Sequence, residues 1–517
     1  MNIVLERIFD RGAMSLDFNG MPGWEKEIDA MAGLFDRAAA GIADIEAGKI
    51  KNPDENRKVT HFTDRDAYRG GELFRAVEKF ASEIREGVLR GSSNKPFDSV
   101  VVNGIGGSAL GPQLMQFALN GPCWNELPAS KRRNGLKVYF LDNTDASGLT
   151  DLLECVDPER LLVLTISKSG GTRETRNNMT ALENFYRERG LTFGRHACAI
   201  TMAGSELDRH ARSNSWTAVF EMAESIGGRT SETSIVGHLP AALAGIDFSA
   251  FLDGACAMDE WTREKSPRRN PAMMLAAAWY LAGNGRGDRN MVIVPYSDRL
   301  VLLSRYLQQL VMESLGKELD LDGKIVHQGL NVFGNKGGTD AHAFIQQLND
   351  GRDDFFATFI EVMTDAQNLD AGDGFTLGDY LYGFAEGLAQ ALETKKRMVI
   401  KARITAVDAY HLGLLIALYE RAVAVYAEFI HINAFHQPGV QAYKLAAKGI
   451  LAMAGLLEGR LAAIAPCSGT ADDIATRCGM SDRSSTVSGF LARKAVNHPG
   501  GGISRRAEEG RWIYDIR

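Results

Sequence analysis

The sequence predicts an α/β protein built from two doubly wound domains with parallel central sheets. The chain has 517 residues, and single hydrophobic cores stop growing at about 250–300 residues, so we expect two main domains. From Phe97 onward, short runs of aliphatic residues alternate with helical stretches, as in βαβ units. A polar segment containing proline at residues 266–270 separates two stretches of this pattern.

Four segments follow in chain order. Residues 1–90 are predicted to form an N-terminal helical segment that packs on the core, because their apolar residues recur at helical spacing. The first α/β domain is expected at residues 91–265, with strands in FDSVVVN, LKVYFLD, RLLVLTIS, ACAIT and TAVFEM. The second is expected at residues 266–457, with strands in MVIVPYS, KIVHQ, ATFIEV and RMVIKARI and a long closing helix. Residues 458–517 are predicted to form a small module of two short helices and a β-hairpin, resembling a winged helix.

Composition restricts the class of function. The net charge of −7 argues against a general nucleic-acid binder. Basic residues only slightly exceed acidic ones in the last segment, so we expect a structural cap or subunit contact there, not DNA binding.

The sequence also shows little evidence of a targeting segment, a membrane span or a metal site. The six cysteines show no C-x-x-C pairing, which is typical of a reducing compartment, and no metal-ligand spacing stands out. The first residues lack the apolar core of a signal peptide, and the longest apolar run, residues 272–283, is too short to cross a bilayer. We therefore expect a cytoplasmic protein with no membrane contact, no metal and no cofactor.

Two loops between a strand and a helix have the composition of anion sites. The loop Gly104–Ser108, with Gly107 and Ser108 as its last residues, lies between a strand and a helix, and its glycines let backbone N–H groups approach a phosphate. An ordinary tight turn explains this loop equally well. The second loop brings together Ser167, Lys168, Ser169 and Thr172. One helix cap needs one hydroxyl, so three hydroxyls and a lysine favour a phosphate monoester over a simple cap.

A helix and a glycine-rich loop carry candidate catalytic groups. Gln309 and Glu313 lie four residues apart on the flank of an apolar helix face formed by Leu303, Leu307, Leu310 and Val311. A carboxylate there loses part of its hydration, which favours a general base, although a lone helical glutamate is usually just exposed. Past the glycines at 334, 337 and 338, Thr339 or Asp340 is predicted to cap a helix that begins at Ala341. His342 would then lie in its first turn.

These segments together resemble the glucose-6-phosphate isomerase family, whose fold is the sugar-isomerase domain. The segment SKSGGT is similar to the phosphosugar loop of that domain. Five more segments of this chain are similar to segments of the family and occur in the family's order. They are GIGGSALGP, GGRTSETSIVG, QQLVMESLGK, GGTDAHAFIQQL and FHQPGVQAYKLAAK. The matches extend over roughly residues 100–450, and as an ordered set they are highly specific.

The resemblance implies an activity and a set of roles. Members interconvert glucose 6-phosphate and fructose 6-phosphate through a cis-enediol, in glycolysis and gluconeogenesis. By resemblance, Glu313 is the base, Arg229 stabilises the enediolate, and His342 and Lys444 open the sugar ring. Gln309 and Gln437 would orient the substrate. The resemblance also implies a homodimer with shared active sites, in which His342 enters the partner's site.

Two alternatives remain open on the sequence. The C-terminal module favours a phosphosugar-sensing regulator, since sugar-isomerase domains also occur joined to DNA-binding modules. Departures from the family pattern at Thr230 and Ala341 motivate a non-catalytic or differently specific isomerase, for instance one acting on mannose or amino-sugar phosphates. Further departures are the glutamate at 232, the histidine at 436 and the glutamine at 441.

Overall fold

The computed structural model describes residues 3–517 and separates into two compact units. The first unit ends at His436, and the second is Gln437–Arg517. The predicted α/β class is confirmed, because the first unit holds two largely parallel sheets with helices on their faces. The domain boundaries predicted at residues 90, 265 and 457 stay predictions. No helix within residues 3–517 has the length and apolar character needed to cross a membrane.

The N-terminal segment contains strands as well as the predicted helices. Its elements are β1 (Val4–Phe9), β2 (Gly12–Asp17), α1 (Trp24–Ala30), α2 (Ala32–Glu46), β3 (Ile50–Asn52), β4 (Arg57–Lys58), α3 (His61–Tyr68) and α4 (Glu72–Arg85). The purely helical prediction for residues 1–90 was therefore wrong. Strands β1 and β2 form an antiparallel hairpin, and β2 pairs with a strand almost 400 residues later, where Leu16 lies opposite Ala402. Such a distant partner leaves no local sequence signal.

The first sheet has five parallel strands in the order β6-β5-β7-β8-β9. Its elements are β5 (Ser99–Asn103), α5 (Gly107–Asn120), β6 (Lys137–Leu141), α6 (Ala146–Cys155), β7 (Leu161–Ile166), α7 (Arg173–Glu188), β8 (Ala197–Thr201), α8 (Glu206–Ser213) and β9 (Ala218–Glu221). All five predicted strands are confirmed. The central strands β5, β7 and β8 are buried along their whole length, as continuous apolar runs require.

Three helices follow, α9 (Ile235–Leu243), α10 (Phe248–Trp261) and α11 (Pro271–Ala282). The second sheet then has six strands in the order β1-β2-β15-β14-β10-β13. Its region contains β10 (Asn290–Pro295), α12 (Leu303–Leu307), β11 (Lys317–Leu319), β12 (Ile325–Gln328), β13 (Val332–Phe333), α13 (Ile345–Asp350), β14 (Phe355–Val362), α14 (Leu377–Thr394), β15 (Met398–Ile404) and α15 (Ala409–Phe429). The predicted strand KIVHQ forms, but it pairs with β11 in a separate two-stranded ribbon.

The C-terminal unit has its own small core. It begins with the long helix α16 (Pro438–Ile464) and continues through β16 (Cys467–Gly469), α17 (Ala471–Arg477), α18 (Ser484–Asn497), β17 (Ile503–Glu508) and β18 (Arg511–Ile516). Its three strands are antiparallel in the order β16-β18-β17. Leu457, Ile474, Val487 and Leu491 are buried together inside it. The two short helices and the hairpin form as predicted, whereas kinship with winged helices stays a prediction.

Buried charges link the helices of the first unit. Arg65 of α3 is 1% exposed, and it lies 2.8 Å from Asp259 of α10 and 2.9 Å from Glu420 of α15. Arg421 of α15 also lies 2.6 Å from Asp259. Charges removed from water are tolerated only when they are paired, so these contacts fix how α3, α10 and α15 pack.

Removing Arg65 should strongly destabilise the first unit. In Arg65→Met, Asp259 and Glu420 lose a buried cation, which costs about 3–5 kcal/mol. Arg268→Met is the matched control, because Arg268 forms an exposed pair with Asp29 at 2.6 Å and such pairs contribute about 0–1 kcal/mol. Thermal unfolding of both variants measures the difference. Equal midpoints for the two would contradict a structural role for the buried cluster.

Candidate active site

The segment bearing Glu313 changes helix type just before the carboxylate. After α12, residues Gln308–Glu313 form a π-helical turn. The predicted apolar face is confirmed, since Leu303, Leu307, Leu310 and Val311 are all buried. The Glu313 side chain remains 21% exposed. A π turn inserts one extra residue, so it re-aims the side chains that follow, and such turns are frequent at functional sites.

Arg229 faces Glu313 from a short 3₁₀ turn, Gly228–Thr230. Its side chain is buried, and its Nε lies 4.0 Å from a carboxylate oxygen of Glu313. Its Nε also donates to Ser314 Oγ at 3.1 Å, and Nη2 donates to the carbonyl of His436 at 3.0 Å. Burial lowers the pKa of Arg229, and the Glu313 carboxylate opposes this. The structure thus brings the predicted base and the predicted cation together.

The first glycine loop packs directly against the Arg229 turn. A β-carbon on Gly107 would stand 1.6 Å from the carbonyl oxygen of Gly228, so only glycine permits this approach. Gly106 has a φ of 60°, and the amide nitrogen of Gln309 lies 3.0 Å from where its β-carbon would stand. Ser108, in the first turn of α5, is half-buried beside this loop. The loop therefore joins Gln309 and Arg229 in one surface.

The second loop gathers its hydroxyls at the start of α7. Ser167 is buried, accepts a hydrogen bond from Gly170 N at 3.2 Å and donates to Thr172 Oγ1 at 3.4 Å. Ser169 is exposed and accepts from Gly171 N at 3.2 Å. Thr172 occupies the N-cap position of α7, yet its side chain accepts no capping bond. An ordinary threonine cap therefore does not explain this loop, and its hydroxyls are grouped as an anion site requires.

Lys168 ties this loop to the segment that leads to Arg229. Its Nζ donates to the carbonyls of Glu224 at 2.5 Å and Ile226 at 3.0 Å. Burial, followed by the nearby charge of Arg57, lowers the pKa of Lys168. The lysine thus has a positional role that the sequence did not indicate, and phosphate binding by Lys168 stays a prediction.

His342 does not lie in a helix capped as predicted. It ends a 3₁₀ turn, Asp340–His342, while α13 begins only at Ile345, and Thr339 forms no side-chain cap. The buried Asp340 instead accepts hydrogen bonds from the backbone and side-chain nitrogens of Asn335, at 2.9 and 3.2 Å. Because Asp340 is committed to this loop, the helix start is displaced. His342 itself is exposed.

Gln437 and Lys444 belong to the C-terminal unit. Gln437 occupies the N-cap position of α16, and Lys444 is exposed on that helix. Their participation in a site with Glu313 stays a prediction.

Two residues at the site were missed by the sequence reasoning. Lys317 is 4% exposed, and its Nζ donates to the carbonyls of Glu313 and Ser314, both at 2.7 Å. Arg57 donates to the carbonyls of Ser225 at 3.0 Å and Phe435 at 3.1 Å, and so connects the loop before the Arg229 turn to the end of the first unit. The only signal for Lys317 was its position four residues after Glu313.

Known proteins resemble this chain over most of its length. The phosphoglucose isomerase family model matches residues 45–390, which include Arg229, Glu313 and His342 but not Lys444. A glucose-6-phosphate isomerase of Geobacter sulfurreducens is 45% identical over 508 residues, covering 95% of this chain and 94% of the relative. Its counterpart in Nostoc punctiforme is 44% identical over 501 residues, covering 94% and 92% of the two chains.

A solved structure agrees with these relatives. The crystal structure of a glucose-6-phosphate isomerase from Chlamydia trachomatis superposes with a TM-score of 0.76 at 26% identity, covering 85% of this chain and 88% of that one. Sequence and fold therefore agree, and the chain belongs to the phosphoglucose isomerase family.

Proposed function

We propose that this chain interconverts glucose 6-phosphate and fructose 6-phosphate. Its relatives are named glucose-6-phosphate isomerase, which supports this activity. The observation that carries the proposal is the approach of Arg229 to Glu313, with 4.0 Å between Nε and Oε2, at the end of a π turn. A carboxylate that is 21% exposed suits a general base, and a buried cation beside it suits the stabilisation of a developing oxyanion.

Glu313 and Arg229 divide the proton transfer between them. In the open-chain aldose, the Glu313 carboxylate takes the proton from C2, the C–H electron pair forms the C1–C2 double bond, and the C1=O π electrons move to O1, which gives a cis-enediolate. Arg229 stabilises the negative charge that develops on the sugar oxygen during this step. The O2 hydroxyl proton then moves to O1, which makes the C1 hydroxyl and leaves the negative charge on O2. The carboxylic acid of Glu313 returns its proton to C1 as the C2=O bond forms, and the ketose results. Gln309 orients the sugar from the same helix.

The substrate phosphate binds at the second loop in this proposal. The hydroxyls of Ser167, Ser169 and Thr172 are grouped at the N-terminus of α7, where backbone N–H groups and the helix dipole favour an anion. Gly107 and Ser108 begin α5, a second helix N-terminus beside the Arg229 turn. Lys168 adds a positive charge close to the loop. These features support a phosphate monoester more than a neutral sugar.

Ring opening requires an acid and a base that the pair above does not supply. We assign it to His342 and Lys444, with Gln437 holding the substrate, on the strength of the family motif. The exposure of His342 supports its use by a second subunit, and hence a homodimer with shared sites. A small phosphosugar substrate and six free cysteines support a cytoplasmic location.

Glu313→Gln should lose isomerisation while remaining folded. An amide cannot accept the C2 proton, and removal of a general base typically costs about 10²–10⁴-fold in kcat. A coupled assay with fructose 6-phosphate measures the loss. Glu318→Gln, an exposed glutamate five residues later, is the matched control and should keep wild-type turnover. Near-normal activity in Glu313→Gln would show that another group is the base.

The double variant Ser169→Ala/Thr172→Ala should raise KM more than it lowers kcat. A phosphate contact is made equally in the ground state and the transition state. Its removal therefore weakens the binding of both states by the same amount, which raises KM and leaves kcat nearly unchanged. Inorganic phosphate should also inhibit the variant less. The control is Thr180→Ala, which removes an exposed hydroxyl of the same helix. An unchanged KM for the double variant would place the phosphate elsewhere.

Two inactive variants should complement each other if the sites are shared. When Glu313→Gln and His342→Ala exchange subunits, each heterodimer has one site with both lesions and one with neither. A random mixture should regain about a quarter of wild-type activity, because half of the dimers are mixed and one of their two sites works.

Exchange must be verified by native mass spectrometry, with each variant incubated alone as the control. No recovery in a mixture that contains heterodimers would mean that Glu313 and His342 act within one chain.

A further inference from the structure

Lys317 occupies an unusual position for a lysine. It starts strand β11, directly after the helical segment that carries Glu313, and its side chain folds back onto the end of that segment. It is 4% exposed, although a lysine side chain normally keeps its ammonium in water. A buried ammonium needs compensating partners, so the local structure must be built around it.

The partners of Lys317 are the backbone carbonyls of two adjacent residues, the proposed base and the residue that follows it. One carbonyl belongs to Glu313, and the other belongs to Ser314, whose hydroxyl accepts the Arg229 hydrogen bond. Carbonyls at the end of a helix have no partner within it, and a lysine there satisfies them and complements the dipole. Lys317 thus fixes the backbone of the proton-transfer carboxylate and of the residue that holds its cation.

The charges around Lys317 all belong to the same site. Burial, followed by the charge of Arg229, lowers the pKa of Lys317 to about 7, and the Glu313 carboxylate opposes this. His436 is the other titratable group nearby, and its pKa is lowered by its own burial, with a smaller effect of Lys317. The ammonium form of Lys317 is therefore present below about pH 7 and is lost as the pH rises.

We propose that Lys317 is a positioning residue for the proton transfer, which aims Glu313 and Arg229 by clamping the carbonyls of residues 313 and 314. This inference rests on the proposed isomerase function. As an ammonium, Lys317 makes charge-assisted bonds that are stronger than those of a neutral amine. The clamp therefore weakens as the pH rises through about 7.

The first test separates kcat from KM. Lys317→Met removes both hydrogen bonds and should lower kcat about 10–100-fold at pH 6, since small displacements of a catalytic group can cost about 10²-fold. The KM of Lys317→Met should stay within about threefold of the wild-type KM, because Lys317 does not contact the substrate in this proposal. The matched control is Lys401→Met, which removes a shielded lysine on β15 that pairs with Glu386 at 2.6 Å.

Two further readouts distinguish positioning from simple stabilisation. The kcat of the wild type should fall between pH 6 and pH 9 as Lys317 loses its charge, so the ratio of wild-type kcat to Lys317→Met kcat should shrink over that range. The kcat of Lys317→Arg should not fall in this way, because arginine stays charged. With glucose 6-phosphate deuterated at C2, the isotope effect on kcat should be larger in Lys317→Met than in wild type or Lys401→Met, because a misaimed base makes proton transfer rate-limiting.

The outcomes are separable. If Lys317→Met loses activity only in proportion to its loss of folded protein, with the wild-type isotope effect and a kcat ratio independent of pH, the proposal is wrong and Lys317 is merely structural. If Lys317→Met does not fold, Lys317→Arg and Lys317→Gln decide by the same two readouts. Absence of isomerase activity in the wild-type chain would instead overturn the proposed function.

Discussion

The buried guanidinium of Arg229 constrains the whole site, because an arginine removed from water must have each of its donors satisfied. Its donors contact Ser314 on the catalytic segment and the carbonyl of His436 at the end of the first unit, and its charge faces Glu313. Two stretches of chain, residues 313–314 and residue 436, are therefore held to a side chain that is far from both in sequence. The same cation lies 4.0 Å from the Glu313 carboxylate, where it is placed to stabilise negative charge that develops during a proton transfer.

Backbone contact supplies the second constraint. Gly107 and Gly228 approach so closely that any side chain at position 107 would collide with a carbonyl, and this brings the N-terminus of α5 against the Arg229 turn. Both anion-site loops also follow central strands of the first sheet, β5 and β7, at their carboxyl ends. In open α/β sheets, ligands bind at that edge. The fold thus places the N-terminus of α5 against the Arg229 turn and the N-terminus of α7 at the same edge of the sheet.

Sequence reasoning succeeded where the signal was local. The apolar strands of both sheets, the buried face before Glu313 and the hydroxyl loop at residues 167–172 are each set by neighbouring residues. It failed where the partner is distant, as for the N-terminal hairpin that pairs with β15, and for Arg57, whose acceptors are Ser225 and Phe435. The π turn was also missed, since its apolar spacing is the same as that of an α-helix over so short a stretch.

The cations of the site repel one another, and this bears on how an anion would bind. Apart from burial, the charge of Arg57 lowers the pKa values of Lys168 and Arg229, and the charge of Arg229 lowers that of Lys317. Yet the chain as a whole carries a net charge of −7, so this cluster is a local positive region on an acidic protein. Any dianion that binds beside it reduces the repulsion and must raise these pKa values. The charge of Arg229 is the second cause of the lowered pKa of Lys317, so the protonation of the clamp depends on the same cation that faces Glu313.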